Sequence, residues 1–294
     1  MKQGQPSITA EFIALFRALE SSRRPRDRRR FEDPFASRFL RPSLKAAAGF
    51  ALIPGLGELV PWFIDRTWAG ARASAVARTL YIDEALAAAL AGGLEQTVIL
   101  GAGYDTRAGR IPGMDRLRVF EVDHPDTQKA KKDKLTEILG SLPAHISFVA
   151  ADFTSPGFAE VMAAAGFNPA VRSFFILEGV VSYLPEKAID AVFRWVSASA
   201  PAGCRLVFTY TDHEAPLSPR EARGRKRQLA ILNRVGEKHT AGLTRGRLPD
   251  FLRERGFKLV EDAGAEEYCA RYLGPEGLQV SRHSRIAVVQ VSGR

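Results

Sequence analysis

Residues 98–107 read VILGAGYDTR. Three apolar residues run into glycines at 101 and 103, and Asp105 and Arg107 follow. A short apolar run ending on Gly-x-Gly predicts a strand whose carboxyl end turns tightly and opens its main chain to a ligand. Taken alone, the pattern also suits an ordinary turn before a helix. A dinucleotide fingerprint needs a third glycine, where a helix packs close to the strand and aims its N-terminus at a pyrophosphate. Here that position is Thr106. Asp105, inside the turn, would repel a pyrophosphate. The stretch therefore predicts a nucleoside-type site for a ligand with no phosphate and a positive centre.

Working outward, apolar runs recur at 118–124 (RVFEVDH), 146–153 (ISFVAADF), 173–181 (SFFILEGVV) and 204–212 (CRLVFTYTD). Helical patterns separate them, among them DTQKAKKDKLTEILG and EKAIDAVFRWVSASA. Near-continuous apolar strands alternating with helices predict a parallel sheet covered on both faces. GFKLVEDAG at 256–264 and SRIAVVQVSG at 284–293 predict two more strands that close it. Before residue 93 the chain reads as helical, from ITAEFIALFRALE at 8–20 to YIDEALAAALAGG, which ends in the helix stop Gly92-Gly93. Residues 213–250 are polar and basic and interrupt the rhythm. The expected organisation is an N-terminal helical extension or lid over 1–92 and an α/β domain over 93–294, with an insertion at 213–250.

Acids at the strand ends carry the chemistry. Asp123 ends the strand after the glycine turn, where a carboxylate can hold both hydroxyls of a ribose. Glu121 lies two residues earlier, on the same face but deeper. Asp152 ends the next strand and can accept from an exocyclic adenine amine, with Phe153 packing on the ring; a turn or cap role suits Asp152 equally. Glu178 sits inside an apolar run, where an unpaired carboxylate is costly. An ammonium or sulfonium nearby would account for it, and so would a buried pair with an arginine. S-adenosylmethionine has a ribose, an adenine, an ammonium and a sulfonium, and no phosphate, and it is the expected cofactor.

Composition sets the frame. The chain has 294 residues, 46% hydrophobic and 26% charged, the mix of a soluble globule. Cys204 and Cys269 have no metal or redox spacing, so two thiols in a reducing compartment are expected, and no metal site. The N-terminus shows no signal-peptide pattern, and a cytoplasmic location is expected. Residues 44–64 are the most membrane-like stretch, but Lys45, Pro54, Glu58 and Pro61 interrupt it. It reads as buried helices or a lid rather than a span, with an interfacial segment as the alternative. Net charge is +9, with basic clusters at 23–30 and 220–227. These raise nucleic acid as a partner, yet neither cluster is interleaved with aromatics, as single-strand binders require. A small-molecule partner is preferred, and the oligomeric state is left open.

LGAGYDTR, EVDHP, AADF and LEGVVSYLP, with FEDP at 31–34, stand in an order and spacing that resemble the leucine carboxyl methyltransferase-like family of class I S-adenosylmethionine-dependent methyltransferases. Its bacterial members include polyketide O-methyltransferases of the tetracenomycin type. The resemblance spans roughly residues 10–290. It implies a doubly wound, mostly parallel, seven-stranded Rossmann-like sheet whose last strands are antiparallel, with helical additions shaping an acceptor pocket. It further implies that Gly101, Ala102 and Gly103 back the methionine part of the cofactor, and that Asp123 holds the ribose. Asp152 and Phe153 would meet the adenine, Glu178 the methionine amine, and Arg78 the cofactor carboxylate, with Arg72 as the other basic candidate.

The expected reaction is O-methylation of a small organic molecule, at a hydroxyl or a carboxyl. Methylation of a nucleic acid or a protein carboxyl is the alternative, and a nicotinamide-dependent oxidoreductase a more remote one. A carboxylate acceptor needs no base, whereas a phenol gains from one. His213, Tyr183 and His124 are the candidate bases, and Trp62 and its neighbours in 44–68 are candidates to line the acceptor pocket.

Overall fold

The computed structural model describes residues 6–23, 25–237, 243–274 and 279–293. All seven expected strands are present: β1 (Gln96–Leu100), β2 (Arg118–Asp123), β3 (Ile146–Ala150), β4 (Ser173–Leu177), β5 (Arg205–Thr211), β6 (Phe257–Ala263) and β7 (Ser284–Val291). They form one sheet in the order β3-β2-β1-β4-β5-β7-β6. β1 to β5 are parallel, and β7 runs antiparallel between β5 and β6. The chain moves outward from β1 to β3, then returns to place β4 on the other side of β1. The crevice at the carboxyl ends of β1 and β4 is therefore the switch point where such sheets bind ligands.

The helices are α1 (Ile8–Ser22), α2 (Pro42–Phe50), α3 (Leu59–Thr67), α4 (Ala71–Ala91), α5 (Arg107–Arg110), α6 (Pro125–Leu139), α7 (Phe158–Ala164), α8 (Glu186–Ala198), α9 (Pro219–Val235), α10 (Leu248–Arg253) and α11 (Ala265–Tyr268). β1 and β4 are buried along their whole length because helices cover both faces. On one face Phe193 of α8 packs edge-on against Phe208, Phe251 and Phe257. On the other, Ile82 and Leu86 of α4 join Ile99, Phe174 and Ile176 in one core. α4 belongs to the expected N-terminal extension by position, but it is a layer of the sheet by packing.

A third core gathers Leu15, Phe16 and Leu19 of α1 with Phe39, Ile64, Tyr104 and Leu135. It sets α1 across the carboxyl ends of the strands. Ser7 caps α1 by accepting from the Ala10 N–H at 3.1 Å. Glu237 accepts from the N–H groups of Ile8 and Thr9, at 2.8 and 3.1 Å, so the residue after the α9 C-cap Gly236 holds the start of α1 in place.

The segment 44–64 departs from its expected burial. Ala48, Ala51, Pro61 and Ile64 face inward, whereas Phe50, Leu52, Ile53, Leu56, Leu59, Trp62 and Phe63 are 37% to 63% exposed. α2 and α3 have nine residues each and touch the core through their smaller side chains. The bulky ones are left open to solvent over a large part of their surface. Trp62 lines neither of the cavities described below.

Candidate active site

The turn after β1 shows why glycine stands at 101 and 103. Both have positive φ, +72° and +46°, which side-chain-bearing residues rarely adopt. A Cβ on Gly101 would lie 2.2 Å from Cγ2 of Val180, and one on Gly103 would lie 3.0 Å from Cβ of Ala10. The main chain is thus pressed between the loop after β4 and α1. Gly101→Ala is expected to cost about 2–4 kcal/mol through backbone strain and overpacking together. Urea unfolding checks this, and a loss under about 1 kcal/mol would mean that Val180 moves aside freely.

Thr106 replaces the third glycine because its hydroxyl has a structural partner. Thr106 Oγ1 donates to Oδ2 of Asp33 at 2.7 Å. Asp33, the acid of FEDP, also accepts from Arg17 Nε at 2.8 Å and, on its other oxygen, from the N–H groups of Phe35 and Ala36 at 3.0 Å each. Arg17 and Thr106 hold this buried carboxyl below its ordinary value, against the opposing effect of desolvation. Arg17 also donates to the Tyr104 carbonyl in the glycine turn. One carboxylate therefore ties α1 to the turn.

Asp105 does not present a bare charge to the crevice. Its carboxylate accepts from Arg107, from the backbone N–H at 2.7 Å and from Nη1 at 2.5 Å. Burial acts to raise its pKa, but Arg107 and Lys131 outweigh it and hold it down to about 2. Arg107 also pairs with Asp83 at 2.7 Å and Glu178 at 2.8 Å. Glu178 binds Arg78 Nε through its other oxygen, at 2.8 Å. Both explanations for Glu178 thus meet at one residue, which is a buried ion-pair partner and lines the crevice as well. Arg107 and Arg78 keep its carboxyl below the usual range although burial opposes them.

The crevice holds a cavity of about 700 Å³, within the range of small-molecule sites. Arg78, Gly101, Ala102, Gly103, Asp123, Asp152, Phe153 and Glu178 all line it, as do Tyr183 and His124. Thr9, Ile13 and Arg17 of α1 and Glu237 also line it. These four carry no local motif, because their place depends on how α1 packs. Asp123 makes no ion pair among the described residues. Its carboxylate accepts from the Gly103 N–H and from the His124 N–H, and burial raises its pKa above the ordinary aspartate value. Glu121, deeper on β2, is neutralised by Lys131 at 2.6 Å. Asp152 is exposed, and its Oδ1 closes a turn by accepting from Thr154 N and Oγ1 at 2.8 and 2.7 Å.

A second cavity of about 130 Å³ adjoins the first and shares Thr9, Ile13, Arg78, Gly179 and Tyr183 with it. Phe16, Trp68, Tyr210, Thr211 and His283 form much of the rest of its wall. His213 lines neither cavity; it is exposed and its Nδ1 accepts from Arg225 at 2.8 Å. Arg72 also stays outside both, pairing with Asp65 at 2.5 Å.

The family model for leucine carboxyl methyltransferases matches residues 10–197, well over half of the chain. The chain belongs to this family. A relative from Mycolicibacterium paratuberculosis is 31% identical over 252 residues, covering 80% of this chain and 77% of that one. Another from Streptomyces avermitilis is 35% identical over 215 residues, 70% of each chain. Both are named as S-adenosyl-L-methionine-dependent methyltransferases. Two solved structures share the fold of the whole chain. One is a DUF574 family protein from Streptomyces avermitilis, with a TM-score of 0.62 at 14% identity, covering 96% of this chain and 97% of that chain. The other, named as a methyltransferase from Thermobifida fusca, has a TM-score of 0.59 at 15% identity and covers 99% of this chain and 97% of that chain. The family membership and the class I methyltransferase fold expected from the sequence both hold.

The cavity also fits the cofactor for which these relatives are named. It offers a turn beside β1 whose two glycines leave the main chain open, a carboxylate in no ion pair among the described residues at the end of β2, and an acid next to a basic group at the end of β4. Arg78 is anchored to Glu178 through Nε, and its Nη nitrogens make no hydrogen bond among the described residues. They remain available to a ligand carboxylate.

Proposed function

We propose that the protein uses S-adenosyl-L-methionine to methylate an oxygen of a small organic molecule, a hydroxyl or a carboxyl. The observation that carries this reading is the second cavity, which meets the first at Tyr183, Arg78 and Gly179 beneath the lid helix. Its wall mixes Phe16, Ile13 and Trp68 with hydroxyl and imidazole groups, the make-up of a small-molecule pocket. Its small size suits part of a compact acceptor better than a protein terminus or a base in a strand.

When bound, the cofactor supplies a methyl group on a good leaving group. The protein's own residues bind and orient. Asp123 accepts from the ribose hydroxyls, Phe153 packs on the adenine, and Asp152 offers its second oxygen to the adenine amine. Arg78 takes the carboxylate, and Glu178 faces the ammonium while Arg107 keeps it ionised. α1 limits water entry and aligns the acceptor, and such orientation is worth several kcal/mol. Tyr183 is the candidate group at the junction where an acceptor oxygen would lie. Its hydroxyl is 3.4 Å from Thr9 Oγ1, and burial raises its pKa, so it serves as a hydrogen-bond partner rather than as a phenolate base.

Incubation of the protein and labelled S-adenosylmethionine with host extract tests the reading. A labelled small molecule is the expected product. A labelled protein band or nucleic acid would overturn it. The same product then separates the acceptor types: a carboxylate acceptor leaves the rate flat above about pH 6, and a phenol gives a rising limb.

A further inference from the structure

We propose that the face formed by residues 50–63 and the basic side of α9 docks on an anionic lipid surface. Ten large hydrophobic residues are exposed among the described residues, and seven of them fall in these fourteen positions. Trp62 and Phe63 are 60% and 63% exposed. Scattered exposed apolar residues are ordinary, whereas a contiguous patch marks an interaction surface. The turn between α2 and α3 carries Pro54, Gly55 and Gly57, so the bulky side chains sit on a short exposed loop and two short helices. Neither helix is long enough to cross a bilayer, and no helix among the described residues is both long and apolar enough to do so. Their apolar faces suit the headgroup boundary, where tryptophan is favoured.

Charge selects the occupant. Lys45 and Arg66 are exposed at the patch, and the Arg66 guanidinium lies 5.8 Å from the Trp62 ring centroid. α9 packs against the chain just past this patch at two points. Arg220 donates to the Asp65 carbonyl at 3.1 Å, and a Cβ on Gly224 would lie 3.3 Å from Ala69 N. α9 then presents Arg223, Lys226 and Arg227, all exposed and in no ion pair among the described residues. Of the nearby acids, Asp65 is already paired with Arg72 and the buried Glu221 of α9 accepts from the Ser218 and Arg282 N–H groups, which leaves Glu58. A second copy would bring a like net charge of +9 to the contact. An anionic membrane meets the apolar and the basic parts together. The inference is independent of which acceptor is methylated.

Flotation with lipid vesicles tests it on the full chain. The wild type is expected to float with vesicles of phosphatidylcholine and phosphatidylglycerol, to stay behind with phosphatidylcholine alone, and to be released by salt. The double variant Trp62→Glu, Phe63→Ser is expected to lose flotation. Lys226→Glu and Arg227→Glu should each weaken it by about fivefold or more. All these positions are exposed, so melting curves and S-adenosylhomocysteine binding are expected to match the wild type. Absence of flotation overturns the proposal, as does flotation that ignores these substitutions. A dimer in sedimentation that dissolves in the double variant, without vesicle binding, would assign the patch to a second copy.

Discussion

Arg107→Ala is expected to destabilise the fold by about 3–5 kcal/mol, the usual cost of removing one partner from a buried ion-pair network. Arg107 is buried and bonds three carboxylates, those of Asp83, Asp105 and Glu178. Without it, Asp105 and Glu178 are left as like charges in a poorly solvated crevice. Arg107→Lys should rescue little, because an ammonium point charge cannot reproduce a planar fork that spans several acceptors. Acid should narrow the gap between variant and wild type. In the wild type, Asp105 and Glu178 have depressed pKa values. The stability they contribute is present above their unfolded values, near 4, and is lost as pH falls toward about 2. In the variant the same acids gain relief on protonation, so its deficit should be largest near neutral pH and shrink below about pH 4. Urea unfolding at the two pH values measures this, and a deficit independent of pH would mean that Arg107 acts through packing alone.

Asp123→Ala should give the opposite signature, with lost affinity and a retained fold. A charge-assisted hydrogen bond contributes roughly 1.5–3 kcal/mol. S-adenosylhomocysteine affinity is therefore expected to fall by at least about tenfold, and by about a hundredfold if the carboxylate holds both ribose hydroxyls. The fold loses little, because burial already disfavours the ionised form of Asp123. The same burial sets a pH dependence. On acidification Asp123 gains its proton above the ordinary aspartate value, so wild-type affinity should decline there, and Asp123→Asn should lack that limb. Calorimetry at several pH values checks both, and unchanged affinity in Asp123→Ala would remove this residue from the cofactor site.

These two residues show what kinds of fact a sequence carries. Asp123 was legible because it ends an apolar strand one strand after a Gly-x-Gly turn, and β2 ends there in the structure. Arg107 was visible only as the residue after Thr106. Its three partners come from α4, the glycine turn and the end of β4, at separations of 24, 2 and 71 residues. The charge of Asp105 was likewise read without its partner. Its effect on a ligand is smaller than the bare acid implied, because Arg107 neutralises it. The basic cluster at 23–30 follows the same logic: Arg30 pairs with Glu20 and donates to the Tyr272 carbonyl, and Arg29 pairs with Glu32. Much of that charge ties the N-terminal segment down rather than facing a partner.

By itself, the sequence determined the seven strands, their mostly parallel sheet, the switch-point crevice and the acids that line it. Those depend on apolar periodicity and on glycines and carboxylates at strand ends, which are local properties. Only the tertiary structure decided why position 106 is threonine, how α1 closes the crevice, and which way 44–64 faces. The hydroxyl of Thr106 serves a carboxylate 73 residues away, and α1 is held by Glu237 more than two hundred residues downstream. The bulky residues Phe50, Leu52, Ile53, Trp62 and Phe63 point outward, and the nearby core is filled instead by Ala48, Ala51 and Ile64. Composition records how apolar a segment is, but whether water or protein meets it depends on what the rest of the chain packs against it.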